Sequence, residues 1–236
     1  MASYDIILKR SEPVADGTLA LYFDKPDGFS FRAGQCVRLV LKEPPETDDE
    51  GNGRILSLAS APAESELMVA TRLRDTAFKR VLKGLEPGAE LTLKGPYGDF
   101  VLPAASDVPV VFITGGIGIT PVRSMLLQAL DEGSSCPITL FYANRSLGDA
   151  AFLFELQQAC AGRSNCELVT IMTQDTGWQG EQGHLDEAML RRHVVNLQAP
   201  LYYLDGPPGL VSAMRSVLAG AGVPEDRVRT EEFAGY

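Results

Sequence analysis

From residue 108 onward the chain alternates short apolar runs with amphipathic stretches of helical period, and few folds accommodate that rhythm. The first run, residues 108–114 (VPVVFIT), is almost continuously apolar, as expected of a parallel strand covered on both faces. It passes straight into Gly115-Gly116-Ile117-Gly118-Ile119-Thr120-Pro121, with a helix expected over 121–131 and proline at a permitted first-turn position. Further strands are expected over 138–143, 167–173, 201–205 and 228–233, and helices over 149–161, 185–195 and 208–221. Such alternation builds a doubly wound parallel sheet, a C-terminal α/β domain over residues 104–236.

The first 103 residues have a different texture. Short β-rich runs at 3–10, 18–23, 37–41, 55–60, 67–73 and 89–94 are separated by Asp16-Gly17, Pro26-Asp27-Gly28 and an acidic loop, 43–53 (EPPETDDEGNG). One short helix is expected over 75–85, where Phe78, Val81, Leu82 and Leu85 share a face. Several strands and one helix predict an N-terminal antiparallel β-barrel domain, residues 1–103. Composition shifts at the same point: no lysine follows Lys94, and all eight basic residues after Pro103 are arginine.

A net charge of −10 runs against nucleic acid as a main partner. No apolar run approaches the ~18 residues of a membrane span, and the N-terminus lacks a secretory signal core, so no membrane insertion and a cytoplasmic location are expected. The cysteines, Cys36, Cys136, Cys160 and Cys166, have no C-x2-C spacing and lie far from His184 and His193. They are expected to be reduced and mostly buried, and no metal or iron–sulfur cluster is expected. His184 is expected to be solvated or capping, His193 to sit near a helix C-terminus, and the 48–50 acidic run to be solvated loop.

Three stretches carry chemistry. The turn Thr114, Gly115, Gly116, Gly118, Thr120, Pro121 follows a buried strand and opens a helix, so its backbone can approach a pyrophosphate. Pro121 replaces the third glycine of the usual dinucleotide fingerprint. The second parallel strand ends at Asn144-Arg145-Ser146, where an acidic residue would read the NAD ribose and an arginine accommodates a 2′-phosphate. Arg145 leans this toward NADP, with NAD left open. The fourth ends at Asp205-Gly206-Pro207-Pro208, a rigid turn facing the ligand crevice.

With these pieces the chain resembles the ferredoxin–NADP reductase family of two-domain flavoproteins. The resemblance covers nearly the whole chain through FSFRAGQ (29–35), RILSLASAP (54–62), RLRDTAFK (72–79), GPYGDF (95–100), GGIGITP (115–121), DGPP (205–208) and the ending EEFAGY. It implies FAD between barrel and α/β domain, with Arg54 facing its pyrophosphate and Thr76 and Ala77 completing that site. Ser57 would lie by the flavin N5, and Leu56, Ala70 and Arg72 along the flavin. Asp205 and Gly206 would border the nicotinamide, with Pro207 also in the cofactor site. Ser57, Asp205 and Glu231 are the implied catalytic groups, and Phe233 and Tyr236 are rivals for stacking on the flavin.

Two departures stand out. The family's Tyr in Arg-x-Tyr-Ser is Leu56, and its Cys before Gly-Pro-Pro is Asp205. The implied activity is electron transfer from NAD(P)H through FAD to a separate redox protein, ferredoxin or flavodoxin first. A local basic patch of Lys79, Arg80 and Lys83 with Arg72 and Arg74 would receive such an acidic partner. The alternatives are an oxygenase reductase component, a free-flavin reductase, and a flavin-binding regulatory subunit without turnover.

Overall fold

The computed structural model describes residues 2–103 and 107–231. Six strands form an antiparallel sheet: β1 (Ser3–Ala15), β2 (Thr18–Asp24), β3 (Cys36–Leu41), β4 (Gly53–Ser57), β5 (Glu66–Arg72) and β6 (Glu90–Tyr97), in the order β4-β3-β6-β1-β2-β5. Just past β4, Leu58 bridges Val69 of β5 and Ala59 N–H donates to Met68 O at 2.8 Å. The two edge strands are thereby joined and the sheet curls into a barrel, which removes unpaired edges. Alternate residues point inward: Val37, Leu39 and Leu41 of β3 meet Leu91 and Leu93 of β6, Leu19 and Leu21 of β2, and Phe78. Phe78 and Leu82 come from helix α1 (Ala77–Lys83), shorter than its periodicity suggests because the Thr76 hydroxyl caps one end and Gly84 closes the other.

The second sheet is parallel: β7 (Val110–Gly115), β8 (Ile138–Asn144), β9 (Cys166–Met172), β10 (Glu181–Gln182), β11 (Leu201–Asp205) and β12 (Val228–Glu231), ordered β10-β9-β8-β7-β11-β12. Helices α2 (Ile119–Asp131), α3 (Leu153–Cys160), α4 (Glu187–His193) and α5 (Pro208–Gly220) make the crossovers. All six residues of β7 are buried, as the continuous apolar run requires. The two-residue β10 was not legible in the sequence, being too short for any periodicity. Helix α3 starts later than expected, after Phe152 in the left-handed conformation (φ 60°).

One expectation is overturned: Cys160 and Cys166 are joined as a disulfide. The turn from the end of α3 into β9 brings their Cα atoms to 5.2 Å, a closeness that spacing does not reveal. Cys36 and Cys136 are free and buried. Among the described residues no helix is long and apolar enough to cross a membrane.

Polar contacts link the two sheets. Tyr203 OH donates to Val101 O at 2.9 Å, Asp16 N–H to Gly148 O at 2.8 Å, and Arg72 pairs with Asp149 at 2.8 Å. Helix α2, buried along most of its length, lies where the layers meet.

Candidate functional site

A cleft of about 660 Å³ opens at the carboxyl ends of β7, β8 and β11, where crossovers on opposite faces leave a crevice. Gly115, Gly116, Asn144, Arg145 and Pro207 line it, as does the Arg72 side chain reaching over from β5. His184 also borders it, in the loop before α4. Gly118, Thr120, Pro121, Thr114 and Gly206 lie beneath its floor, buried. The glycine turn is a 3₁₀ turn over Gly116–Gly118, and Thr120 Oγ1 closes it by donating to Ile117 O at 3.0 Å. Gly116 has φ +56°, and a Cβ there would meet nothing nearer than Arg72 Nη1 at 3.8 Å. Exposed backbone over an open cleft suits the close approach of a nucleotide diphosphate. Thr114 Oγ1 is buried without a hydrogen-bond partner among the described residues, a polar atom left at the end of β7.

On the barrel, Arg54 is 15% exposed and lies 5.1 Å from the centroid of the Phe78 ring. Its guanidinium is engaged by the acidic loop: Nη2 by Asp48 Oδ1 at 2.7 Å, Nε by Glu50 Oε2 at 2.8 Å, and Nη1 by Gly51 O at 2.8 Å. Asp48 is held below the usual carboxylate range, first by Arg54 and further by the Glu50 and Phe78 backbone N–H groups. Its carboxylate therefore occupies a small anion position between Arg54 and the start of α1. The residues present fit a flavin diphosphate there; of the acidic run Asp48 is partly buried against Arg54, while Asp49 and Glu50 are exposed, as expected of solvated loop. Thr76 and Ala77 stand at the start of α1, and Ala70 is buried on β5. Leu56 packs into the barrel core, so an aliphatic side chain fills its space.

The expected basic patch is reorganised. Lys79 is half-buried and donates to Thr71 Oγ1 and to Arg72 O, and burial, with Arg74 and Arg54 nearby, lowers its pKa to about 8. Arg80 pairs with Glu46 and Asp75, leaving Lys83 and Arg74 as exposed cations.

Ser57, Asp205 and Glu231 lie near the seam between the layers. Ser57 ends β4, buried, and pairs in register with Cys36 of β3. A Cβ on Gly98 would lie 3.8 Å from Cys36 Sγ and 3.7 Å from Glu231 Oε1, which brings the end of β12 against the barrel. Asp205, 1% exposed, pairs in register with Glu231 on the neighbouring parallel strand, so their side chains share a face. Burial, then Asp205 and Asp99, push the Glu231 carboxyl up to about 8, and its Oε2 has no hydrogen-bond partner among the described residues. Burial and Glu231 raise the Cys36 thiol to about 11. Phe233 and Tyr236 lie outside the described residues.

The raised Glu231 carboxyl makes stability depend on pH. Below pH ~4.5 Glu231 is protonated folded or unfolded; as pH rises toward 8 the native state must retain or lose a proton at increasing cost, so stability falls. Glu231→Gln removes that loss. Its thermal midpoint should equal that of the parent near pH 4 and exceed it by at least ~2–4 °C above pH 8, the shift from ~1 kcal/mol. Parallel melting curves across pH test this, and a constant offset would refute it.

Sequence reasoning assigned no role at the site to Cys36, to Asp99 within GPYGDF, or to the Asp149 partner of Arg72. Asp48 and Glu50 did carry a signal, two carboxylates within six residues of Arg54.

The chain is similar to known proteins in sequence and fold. The family model for the oxidoreductase NAD-binding domain matches residues 112–216. The chain is 31% identical over 232 residues to ferredoxin–NADP reductase B of Sorangium cellulosum (strain So ce56), covering 94% of this chain and 93% of that protein. It is 27% identical to the reductase component of propane 2-monooxygenase from Mycolicibacterium goodii, covering 97% of this chain but only 64% of that protein. In fold it is similar to the flavohem-like FAD/NAD-binding domain of nitric oxide dioxygenase from Vibrio cholerae, with a TM-score of 0.83, 20% identity and coverage of 97% and 98%. The chain belongs to the ferredoxin–NADP reductase family of FAD- and NAD(P)-binding oxidoreductases.

Proposed function

We propose that this protein passes electrons from NADPH, by way of FAD, to a separate one-electron carrier, ferredoxin or flavodoxin first. The carrying observation is the pair of anion settings, Arg54 with α1 on the barrel and the glycine turn on the parallel sheet, on either side of the seam that holds Ser57 and Glu231. FAD, when bound, supplies the exchange between a two-electron donor and a one-electron acceptor. The chain's own residues bind and orient. Arg54 takes the flavin diphosphate in place of Asp48, and Thr76 and Ala77 close that end. Gly115 and Gly116 admit the nicotinamide nucleotide's diphosphate. The Ser57 hydroxyl offers a hydrogen bond at the seam, and Glu231, protonated at neutral pH, holds a proton there. Residues 1–103 form the flavin domain and 104–236 the nucleotide domain in this reading, which also takes a cytoplasmic setting.

Arg145 and Arg74 both line the cleft and are exposed, and the carboxylate that lines it among the described residues, Asp149, is already engaged by Arg72 and Ser146. That charge balance favours the 2′-phosphate of NADPH. Anaerobic rapid mixing of the FAD-loaded protein with NADPH and with NADH, following the flavin band, tests donor and activity together. NADPH should bleach the flavin faster. Arg145→Ala should weaken NADPH about tenfold, as the loss of a charge-assisted contact does, and leave NADH within about twofold. Bound flavin that neither nucleotide reduces would overturn the reading in favour of a regulatory flavoprotein.

The similarity to an oxygenase reductase component supports a second reading, with an oxygenase partner as acceptor. A panel of ferredoxin, flavodoxin, free flavin and oxygenase components separates the acceptors.

A further inference from the structure

Arg123 of α2 is 4% exposed, yet it uses all five of its N–H donors. Nε donates to Glu155 Oε2 at 2.8 Å and Nη2 to Glu155 Oε1 at 2.5 Å. Nη1 donates to Glu64 Oε2 at 2.8 Å and Nη2 to Glu64 Oε1 at 2.9 Å. Nη1 also donates to Ala59 O at 2.6 Å. The two carboxylates belong to different layers. Glu155 is on α3, packed on the same parallel sheet as α2, whereas Glu64 and Ala59 follow β4 of the barrel. Next to Arg123, Ser124 Oγ donates to Ser60 O at 2.7 Å, and one turn on, Gln128 Oε1 accepts from Ala63 N–H at 3.0 Å.

Removing a guanidinium from water is costly, and a well-packed apolar residue at such a position often serves stability as well. What the planar fork adds is register: two bidentate carboxylates and a carbonyl fix it in rotation as well as distance. Both ends of the link lead to the site. Arg123 lies on the helix opened by the Gly115–Gly118 turn, and Ala59 comes two residues after Ser57. Resting on the function proposed above, we propose that Arg123 is a positioning residue whose bond to Glu64 sets the spacing between the nucleotide turn and the Ser57 end of β4. It touches no cofactor. It acts through Glu64 and Ala59, with Glu155 as its local anchor. Because two reacting groups must meet at near-contact distance, a displacement of about 1 Å across this joint slows transfer by up to about a hundredfold.

The two arms of the clamp separate this role from general stabilisation. Glu64→Gln and Glu155→Gln remove the same charge from the same guanidinium. Each side chain is partly exposed, and the amide that replaces the Glu64 carboxylate still offers an oxygen to the Ala61 N–H. With FAD-loaded full-length protein, the limiting rate of flavin reduction at saturating NADPH and the dissociation constants of NADPH and FAD are measured for both variants. Hydrogen exchange over residues 59–63 and 119–126 is followed in parallel. Glu64→Gln should lower the limiting rate about tenfold or more, leave both dissociation constants within about threefold, and speed exchange in both segments. Glu155→Gln should change the rate less than about twofold. Equal effects of the two variants on rate, or on exchange, would overturn the proposal. If NADPH fails to reduce even the parent protein, the function proposed above falls, while the exchange comparison still decides whether Glu64 carries the joint.

Discussion

Replacing Gly118 with alanine should slow flavin reduction by NADPH about a hundredfold. A Cβ at this position would lie 2.7 Å from the carbonyl carbon and oxygen of Asp205 and 2.7 Å from the Gly206 nitrogen. All three are backbone atoms, so no rotamer change relieves the overlap. The glycine turn must instead move away from the end of β11, widening the floor of the cleft where the nucleotide would lie. Overpacking of this kind costs about 1–3 kcal/mol of stability, and a displacement near 1 Å at a reacting centre costs about two orders of magnitude in rate. Gly116→Ala is the comparison. There φ is +56° and the space is open, so the cost is local backbone strain of about 1–2 kcal/mol without a clash. Rapid mixing and thermal melting of both variants test the argument. A Gly118→Ala protein with the parent's rate would show that the β7–β11 contact does not set the cleft.

Arg54→Ala should weaken FAD binding about tenfold to a hundredfold, the loss of one charged phosphate contact of about 1.5–3 kcal/mol. The acidic loop should act in the opposite direction. Asp48 and Glu50 hold the guanidinium that the proposed function gives to the flavin diphosphate, so binding there would first have to break those pairs. The double variant Asp48→Asn, Glu50→Gln keeps the acceptor oxygens and removes both charges. It should bind FAD several-fold more tightly, with the gain largest at low ionic strength, where the competing pairs are least screened. Titration of flavin-free protein with FAD at two salt concentrations reads both effects. Weaker FAD binding in the double variant would mean that the loop supports the site rather than competes for it.

Opposite effects expected from residues this close in the chain mark what a linear reading misses. Arg54 was identifiable because Arg-x-Leu-Ser follows an acidic turn at a family position, but the loop's role depends on how residues 43–53 fold back onto their own arginine. The Cys160–Cys166 link is a similar case. Six residues of separation suit a turn as well as a bridge, and the end of α3 decides between them. Lys79 reads as a surface cation on a short amphipathic helix, yet its position over the end of β5 lets the ammonium reach Thr71 and the Arg72 carbonyl.

The change from β-rich runs to strand–helix alternation was enough to identify a barrel followed by a doubly wound sheet, because side-chain period and turn residues are local properties of the chain. The glycine turn after a buried strand and Arg145 at the next strand end were legible for the same reason. The pairing of Asp205 with Glu231 belongs to the tertiary structure, as do the meeting of Glu231 with Cys36, the hold of Asp48 on Arg54 and the reach of Arg123 to Glu64. Each joins residues whose contact depends on strand order, register or the docking of one layer on another. The carboxyl of Glu231 is raised because it is withdrawn from water, beside Asp205 of the neighbouring strand and near Asp99 from the barrel. Local periodicity carries no term for such distances; burial and neighbouring charge, which set the chemistry, exist only once the layers have closed.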